Sequence, residues 1–207
     1  MSLTSAQKFL WVLAGVAALA FVWLLLWSDY RADRARTDAE PPFFAEFELT
    51  DHQGMVQTEE DFAGRWMLVF FGFTNCPDVC PTTLSDISGW LDDLGEEAEV
   101  MNVVFITVDP ERDTVEAMAE YVGHFHSAIR GWTGEDEEIE AAARSFRASY
   151  ERVPTEGGNY TMNHTASVFL FDAVGRFVTT IDYHEPREFA VPKIKRALKE
   201  IAKPETS

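Results

Sequence analysis

Three short runs of almost continuous apolar residues are the feature that most restricts how this chain can fold. They read MLVFF at 67–71, VVFIT at 103–107 and SVFLF at 167–171. Such runs are typical of central strands covered on both faces, because a strand with one solvated face alternates apolar and polar residues. FVTTI at 177–181 is more mixed, which indicates a strand nearer the edge of the sheet.

Amphipathic segments separate these runs. Apolar residues recur at helical spacing over 115–125, 139–146 and 194–201. Asp113 or Thr114 can cap the first of these helices. The predicted order is strand, helix, strand, helix, helix, strand, strand, helix, which indicates an α/β fold: a thioredoxin-like mixed sheet flanked by helices.

The segment 151–163 contains a proline and a Gly-Gly pair, and it is predicted to form an exposed hairpin or loop just before the strand 167–171. With 46% hydrophobic residues, the chain has enough apolar side chains for one ordinary packed domain and an additional segment.

The additional segment is an uncharged apolar run of 19 residues, Phe9 to Trp27. As a helix it would be about 28 Å long, close to the hydrocarbon thickness of a bilayer. It is longer than the apolar part of a typical signal peptide, and no clear cleavage site follows it. The sequence therefore predicts a short segment at 1–8, a transmembrane anchor at 9–27, a linker at 28–42 and the domain at 43–203.

Charge is distributed unevenly along the chain. Residues 1–40 hold four basic and four acidic side chains, so residues 41–207 carry the whole net charge of −18. A surface this negative repels phosphate backbones, which argues against nucleic-acid binding, and it attracts basic proteins or cations. Arg31, Arg34 and Arg36 follow the anchor, and the positive-inside rule alone would place the domain in the cytoplasm.

The chain has two cysteines, Cys76 and Cys80, just after the first predicted strand. Proline suits the first position of a helix, so a helix beginning at Pro77 would place Cys76 at its cap and Cys80 one turn further along the same face. The amino end of the helix would favour the thiolate of Cys76 and lower its pKa. Such a pair can exchange disulfides, attack a peroxide, bind a soft metal or form a structural disulfide.

A stable copper site needs a third donor beside two sulfurs, and imidazole is suitable. Four of the five histidines lie in a turn, at a helix end or after the last strand: His52, His124, His126 and His184. His164 lies just before the strand 167–171, and in a thioredoxin-type sheet the turn entering that strand lies beside the cysteine helix. This topology favours His164 as the third donor.

Four motifs follow one another in this order: GFTNCPDVCPTTL (72–84), TVDPERDT (107–114), EYVGHFHSAIRGWTG (120–134) and NHTASVFLFDAVGRF (163–177). Together they resemble the motifs of the Sco/SenC copper proteins. Members of that family are membrane-anchored, have a thioredoxin fold and are implicated in assembling the dinuclear copper centre of cytochrome c oxidase.

The resemblance implies one copper ion per chain, as Cu(I) or Cu(II), with Cys76, Cys80 and His164 as its ligands. It also implies that Asp78, inside the cysteine loop, lies near the site and assists the metal or the partner. Asp109 occupies a second characteristic acidic position, supporting the site or the structure. The implied partner is a copper acceptor, a cytochrome c oxidase subunit, and the implied location is the bacterial inner membrane with the domain outside, in the periplasm.

Two functions stay open on the sequence. The first is a metallochaperone rather than an enzyme, which passes copper on by ligand exchange. The second is a thiol–disulfide reductase in which Cys76 and Cys80 keep the acceptor's copper-binding cysteines reduced. A peroxidase is disfavoured because Phe73 stands where peroxiredoxins carry a hydroxyl residue. Met101 and Met162 are predicted to pack rather than to bind metal.

Overall fold

The computed structural model describes residues 45–201 and five positions near the amino terminus: Trp11, Phe21, Trp23, Leu24 and Trp27. The chain divides into two compact units, residues 1–41 and 42–207. In the first unit the five described positions are helical, and the rings of Trp23 and Trp27 lie 5.0 Å apart. The rest of the predicted anchor, 9–27, and all of the linker, 28–42, lie outside the described residues. Among the residues described, no helix is both long enough and apolar enough to span a bilayer.

Nine strands, four α-helices and three short 3-10 helices form the regular structure of the second unit within residues 45–201. The strands are β1 Glu48–Asp51, β2 Val56–Thr58, β3 Trp66–Gly72, β4 Met101–Thr107, β5 Ile129–Thr133, β6 Tyr150–Pro154, β7 Tyr160–His164, β8 Val168–Phe171 and β9 Phe177–Ile181. The helices are α1 Val79–Leu94, α2 Val115–Val122, α3 Asp136–Ser145 and α4 Arg187–Ile201.

Seven strands form one mixed sheet in the order β2-β1-β5-β4-β3-β8-β9. The pairs β3–β4 and β4–β5 are parallel, and the other pairs are antiparallel. Strands β3 and β4 are buried along their whole length, and β9 lies at the edge, as the sequence predicted. The predicted thioredoxin-like α/β architecture is thereby confirmed.

Helices cover both faces of this sheet. Successive side chains of a strand point to opposite faces. On β3, Phe71 packs edge-on against Phe146, which ends α3, with ring centroids 5.5 Å apart. The next residue, Gly72, faces α1, where a Cβ would meet the sulfur of Cys80. The face of β3 that carries Phe70 and Gly72 is therefore the face on which the cysteines lie.

The prediction of two consecutive helices between 103–107 and 167–171 is wrong, because β5 lies between α2 and α3. Its sequence, IRGWT, combines an exposed arginine with a glycine, which conceals the apolar run. Gly131 lets α2 approach the sheet: a Cβ there would lie 3.0 Å from Cγ1 of Val122 and 3.1 Å from Cε of Met118. Gly131 therefore makes β5 hard to recognise in the sequence, and it is also required for the packing of α2 against the sheet.

The predicted exposed hairpin at 151–163 is confirmed as β6 and β7, which pair with each other as a separate two-stranded sheet. Its second strand extends to His164. The hairpin thereby carries the histidine that the sequence analysis selected.

Candidate metal centre

The helix that carries Cys80 begins at Val79 with Asp78 as its N-cap, so the prediction of a start at Pro77 with Cys76 as cap is wrong. The physical reason is Pro81, which has no N–H and would clash with the carbonyl of residue 77 inside a helix. When the helix starts at Val79, Pro81 is its third residue. This is the last position at which a backbone N–H would have no partner inside the helix. Cys76 then lies in the preceding turn, where its N–H donates to the carbonyl of Phe73 at 3.3 Å.

The two thiols are unequal. Cys76 is half-buried, and its sulfur accepts the backbone N–H of Cys80 at 3.3 Å. A hydrogen bond from the Cys80 thiol lowers the pKa of Cys76 to about 4 despite partial burial, with smaller contributions from the backbone N–H groups of Asp78 and Cys80. Cys80 is fully buried, and its hydrogen bond to Cys76, with burial, raises its pKa. The metal-free site therefore holds one thiolate and one thiol that share a hydrogen bond.

His164 ends β7 and presents its Nε2 atom 3.5 Å from the sulfur of Cys80. Its Nδ1 atom lies 3.0 Å from the carbonyl oxygen of Thr165. Because a carbonyl only accepts hydrogen bonds, Nδ1 carries the hydrogen, and Nε2 keeps its lone pair for the site. The rings of Phe70 and Phe73 each pack edge-on against the imidazole, with centroids 5.9 Å away.

The structure thus brings together the three side chains selected from the sequence: the donor atoms of Cys76, Cys80 and His164 all lie within 4.8 Å of one another. A cavity of about 260 Å³ opens onto this group, with Asp78 and Met162 in its lining. Cys76 and His164 line the cavity, whereas Cys80 lies fully buried behind them. A partner could therefore reach two of the three donors directly.

The two acidic residues of the prediction have different positions. Asp78 is exposed and lines the cavity beside Cys76. Asp109 is buried and is not part of the donor group; it forms an ion pair with Arg112 and accepts the hydroxyl of Tyr160 at 2.8 Å. Asp109 therefore holds the β4–α2 loop and the hairpin together.

The other four histidines do not join the donor group. Nδ1 of His52 accepts the N–H of Gly131 at 3.2 Å, which fixes the β1–β2 turn against β5. Nδ1 of His126 accepts the N–H of Ala128 at 3.1 Å. His124 is exposed, and His184 packs against Tyr183 with ring centroids 3.7 Å apart.

Asp113 is a residue near the site whose role the sequence analysis missed. Thr114, not Asp113, caps α2, accepting the N–H of Ala117 at 3.3 Å. The buried carboxylate of Asp113 instead accepts the N–H and hydroxyl of Thr74 at 2.9 and 2.5 Å and the hydroxyl of Thr107 at 2.6 Å. Burial raises its pKa. Asp113 thus ties the cysteine loop to β4, and no spacing pattern distinguishes this role from a helix cap.

Fold and donor set together define the class of protein: a thioredoxin-like domain with two cysteines and a histidine grouped at one end of its sheet. The family model described as SCO1/SenC matches residues 35–199, which is most of the chain. The chain belongs to the SCO1/SenC family.

Known proteins of this family are similar over the same region. The SCO2 homolog of Danio rerio, a mitochondrial protein, is 42% identical over 142 residues, covering 67% of this chain and 50% of that protein. The chain spans about half to two thirds of the length of the first curated relatives it matches.

Two solved structures with copper bound are similar to this fold. ScoI of Bradyrhizobium japonicum has 42% identity and a TM-score of 0.69, covering 74% of this chain and 98% of that chain. ScoI of Arabidopsis thaliana has 35% identity and a TM-score of 0.71, covering 77% and 98%.

Proposed function

We propose that this protein is a copper metallochaperone that binds one copper ion per chain through Cys76, Cys80 and His164. Its acceptor is the dinuclear copper centre of cytochrome c oxidase. The observation that carries the proposal is the convergence of three donor atoms within 4.8 Å. Copper bound in two solved relatives supports it. The oxidase-assembly role that the Sco/SenC resemblance implies supports it as well.

The chemistry of the donor set fits copper. Two thiolates and one imidazole suit Cu(I) in a three-coordinate site, and an added oxygen donor would suit Cu(II). A structural zinc site would require a fourth donor. Because the pKa of Cys80 is raised in the metal-free protein, its thiol must lose a proton when copper binds. Acid therefore weakens copper binding.

The different burial of the donors suggests an order of transfer. Cys76 and His164 line the cavity, so an acceptor's ligands can replace them first. Cys80 is fully buried and releases the ion last. Each donor is replaced before the next one leaves, so copper passes to the acceptor without being released as a free ion.

Titration of the reduced chain with copper tests the proposal. We expect saturation at one equivalent and a thiolate-to-copper charge-transfer band. His164→Ala should weaken binding and change the spectrum, whereas the control His184→Ala, outside the donor group, should change neither. If His164→Ala binds as tightly as the parent with the same spectrum, the three-ligand assignment is wrong.

A thiol–disulfide reductase is the second candidate, favoured by the half-exposed, low-pKa thiol of Cys76 beside Cys80. In this reaction the Cys76 thiolate attacks an acceptor disulfide and forms a mixed disulfide. Cys80 then displaces the reduced acceptor, leaving a Cys76–Cys80 disulfide. Cys80→Ser should accumulate the mixed disulfide. Failure to trap any adduct, with copper insertion intact in cells, would count against this function.

We also propose that residues 9–27 anchor the chain in the bacterial inner membrane, with residues 28–42 as linker and the domain 43–203 in the periplasm. The 19-residue apolar run and the family resemblance support this placement. A carboxy-terminal alkaline phosphatase fusion should be active, because that enzyme folds only outside the cytoplasm. An inactive but stable fusion would place the domain inside.

A further inference from the structure

The hairpin that carries His164 is not part of the main sheet. Strands β6 and β7 form their own two-stranded sheet, and within residues 45–201 their backbone-to-backbone hydrogen bonds stay inside the hairpin and its base. A lone two-stranded hairpin is only marginally stable in water. The position of His164 at the end of β7 therefore depends on side-chain contacts between the hairpin and the rest of the domain.

Tyr160 makes several of these contacts. Because alternate residues of a strand share a face, Tyr160 and His164 point to the same side of β7. The guanidinium carbon of Arg112, from the β4–α2 loop, lies 3.8 Å from the centroid of the Tyr160 ring. That of Arg152, from β6, lies 3.4 Å from the same centroid. Two groups this close to one centroid must lie on opposite faces, so the ring is held between two guanidinium groups.

Both arginines are themselves fixed by carboxylates of the β4–α2 loop. Arg112 forms an ion pair with the buried Asp109, and Nη1 of Arg152 lies 2.8 Å from Oε2 of Glu111. The hydroxyl of Tyr160 donates to Asp109 at 2.8 Å, and Nη1 of Arg112 donates to the Tyr160 carbonyl at 3.2 Å. Two cations and two carboxylates thus surround one ring with their charges balanced, which locks the ring to the loop.

The same loop also contacts the aromatic wall of the site. The guanidinium carbon of Arg112 lies 6.0 Å from the ring centroid of Phe73, and the ring of Phe73 packs edge-on against His164. Arg112 therefore contacts both the strand that carries His164 and a ring against which the imidazole rests. Loss of the stacking on Tyr160 would therefore allow the hairpin to move relative to the β4–α2 loop and Phe73.

We propose that Tyr160, held between Arg112 and Arg152, is a positioning residue that keeps His164 beside the two thiols. The inference rests on the proposed copper function. A histidine already in place binds the ion without first being ordered. The apparent dissociation constant for copper equals the intrinsic one divided by the fraction of molecules with His164 in position. If loss of the stack reduces that fraction to about one tenth, copper binds about tenfold more weakly.

A double-mutant cycle with Cu(I) as the probe tests this role. Tyr160→Leu removes the aromatic ring and its hydroxyl but leaves the Arg112–Asp109 pair intact. Tyr160→Phe keeps the ring between the two arginines and loses only the hydroxyl. We expect about tenfold weaker binding for Tyr160→Leu, with near-complete rescue in Tyr160→Phe. Because the effect acts through the imidazole, Tyr160→Leu should change affinity less than about twofold in the His164→Ala background. An equal loss in both backgrounds would overturn the inference.

A metal-free measurement separates this inference from the proposed function. In the reduced apoprotein we expect nuclear Overhauser contacts between the rings of His164 and Phe73, and their weakening in Tyr160→Leu. The exposed-arginine control Arg144→Gln, on α3, should leave them unchanged. If these contacts persist fully in a folded Tyr160→Leu protein, the positioning role is refuted. If they weaken although the parent binds no copper, positioning stands and the proposed function fails.

Discussion

Gly72, the last residue of β3, is a position where the sheet and the candidate metal centre are tightly packed together. A Cβ atom there would lie 2.7 Å from Cε2 of Phe105 and 2.8 Å from the sulfur of Cys80. Both side chains are fully buried, so neither can move aside into solvent. We expect Gly72→Ala to destabilise the domain and to displace the Cys80 sulfur from His164.

The expected losses of stability and of copper affinity follow from these distances. Carbon atoms in contact normally lie about 3.5–4.0 Å apart, so the new methyl group would be about 1 Å too close to the Phe105 ring. Overpacking of this kind costs about 1–3 kcal/mol in the free energy of unfolding. If about 1.4 kcal/mol of that strain is borne by the copper-bound site, copper affinity falls about tenfold.

Urea unfolding of the apoprotein and competitive copper titration measure the two effects. The matched control is Gly89→Ala in α1, where the new Cβ would meet Nη1 of Arg187 at 2.9 Å. That atom ends a flexible side chain, and alanine favours the helix by up to about 1 kcal/mol. Gly72→Ala should cost less in a Cys80→Ala background, because one of its two collisions is gone. Unchanged stability and unchanged copper affinity in Gly72→Ala would refute the reasoning.

Two further predictions concern ionisable groups. The pKa of Cys76 is lowered to about 4, below that of an ordinary thiol. Its thiolate therefore stabilises the folded domain fully above the ordinary thiol pKa, and this stabilisation is lost as the pH falls to about 4. At about pH 6, iodoacetamide should therefore alkylate Cys76 much faster than Cys80 in the reduced apoprotein; equal rates would contradict this. Asp113→Ala should lower the urea-unfolding free energy by about 3 kcal/mol, because Thr74 and Thr107 lose their acceptor, and Asp113→Asn by less.

Much of the fold could be predicted from the sequence because its signals are local. The continuous apolar runs predicted the covered strands β3, β4 and β8, and helical periodicity predicted α2, α3 and α4. Strand β5 was not predicted because Arg130 and Gly131 interrupt its apolar pattern. Its burial depends on α2 packing over the glycine, which is a contact between elements rather than a property of the segment.

In the candidate site, too, local features could be predicted from the sequence, whereas contacts between distant segments could not. The cysteine spacing identified Cys76 and Cys80, but the start of α1 depends on Pro81, and the identity of the capping residue follows from it. His164 could be selected only by assuming the topology of the sheet. Its imidazole meets the sulfur of a residue 84 positions earlier in the chain.

The sequence by itself determined the covered strands, the amphipathic helices and the two thiols, since hydrophobic period and residue chemistry act over a few neighbouring positions. The sequence predicted a lowered pKa for Cys76, but only the tertiary structure decided that the pKa of Cys80 is raised and that Asp113 is buried and bound to the cysteine loop. It also decided that Tyr160 lies between two arginines. These features arise from burial and from hydrogen bonds between distant segments, whose energies exist only once the chain has packed.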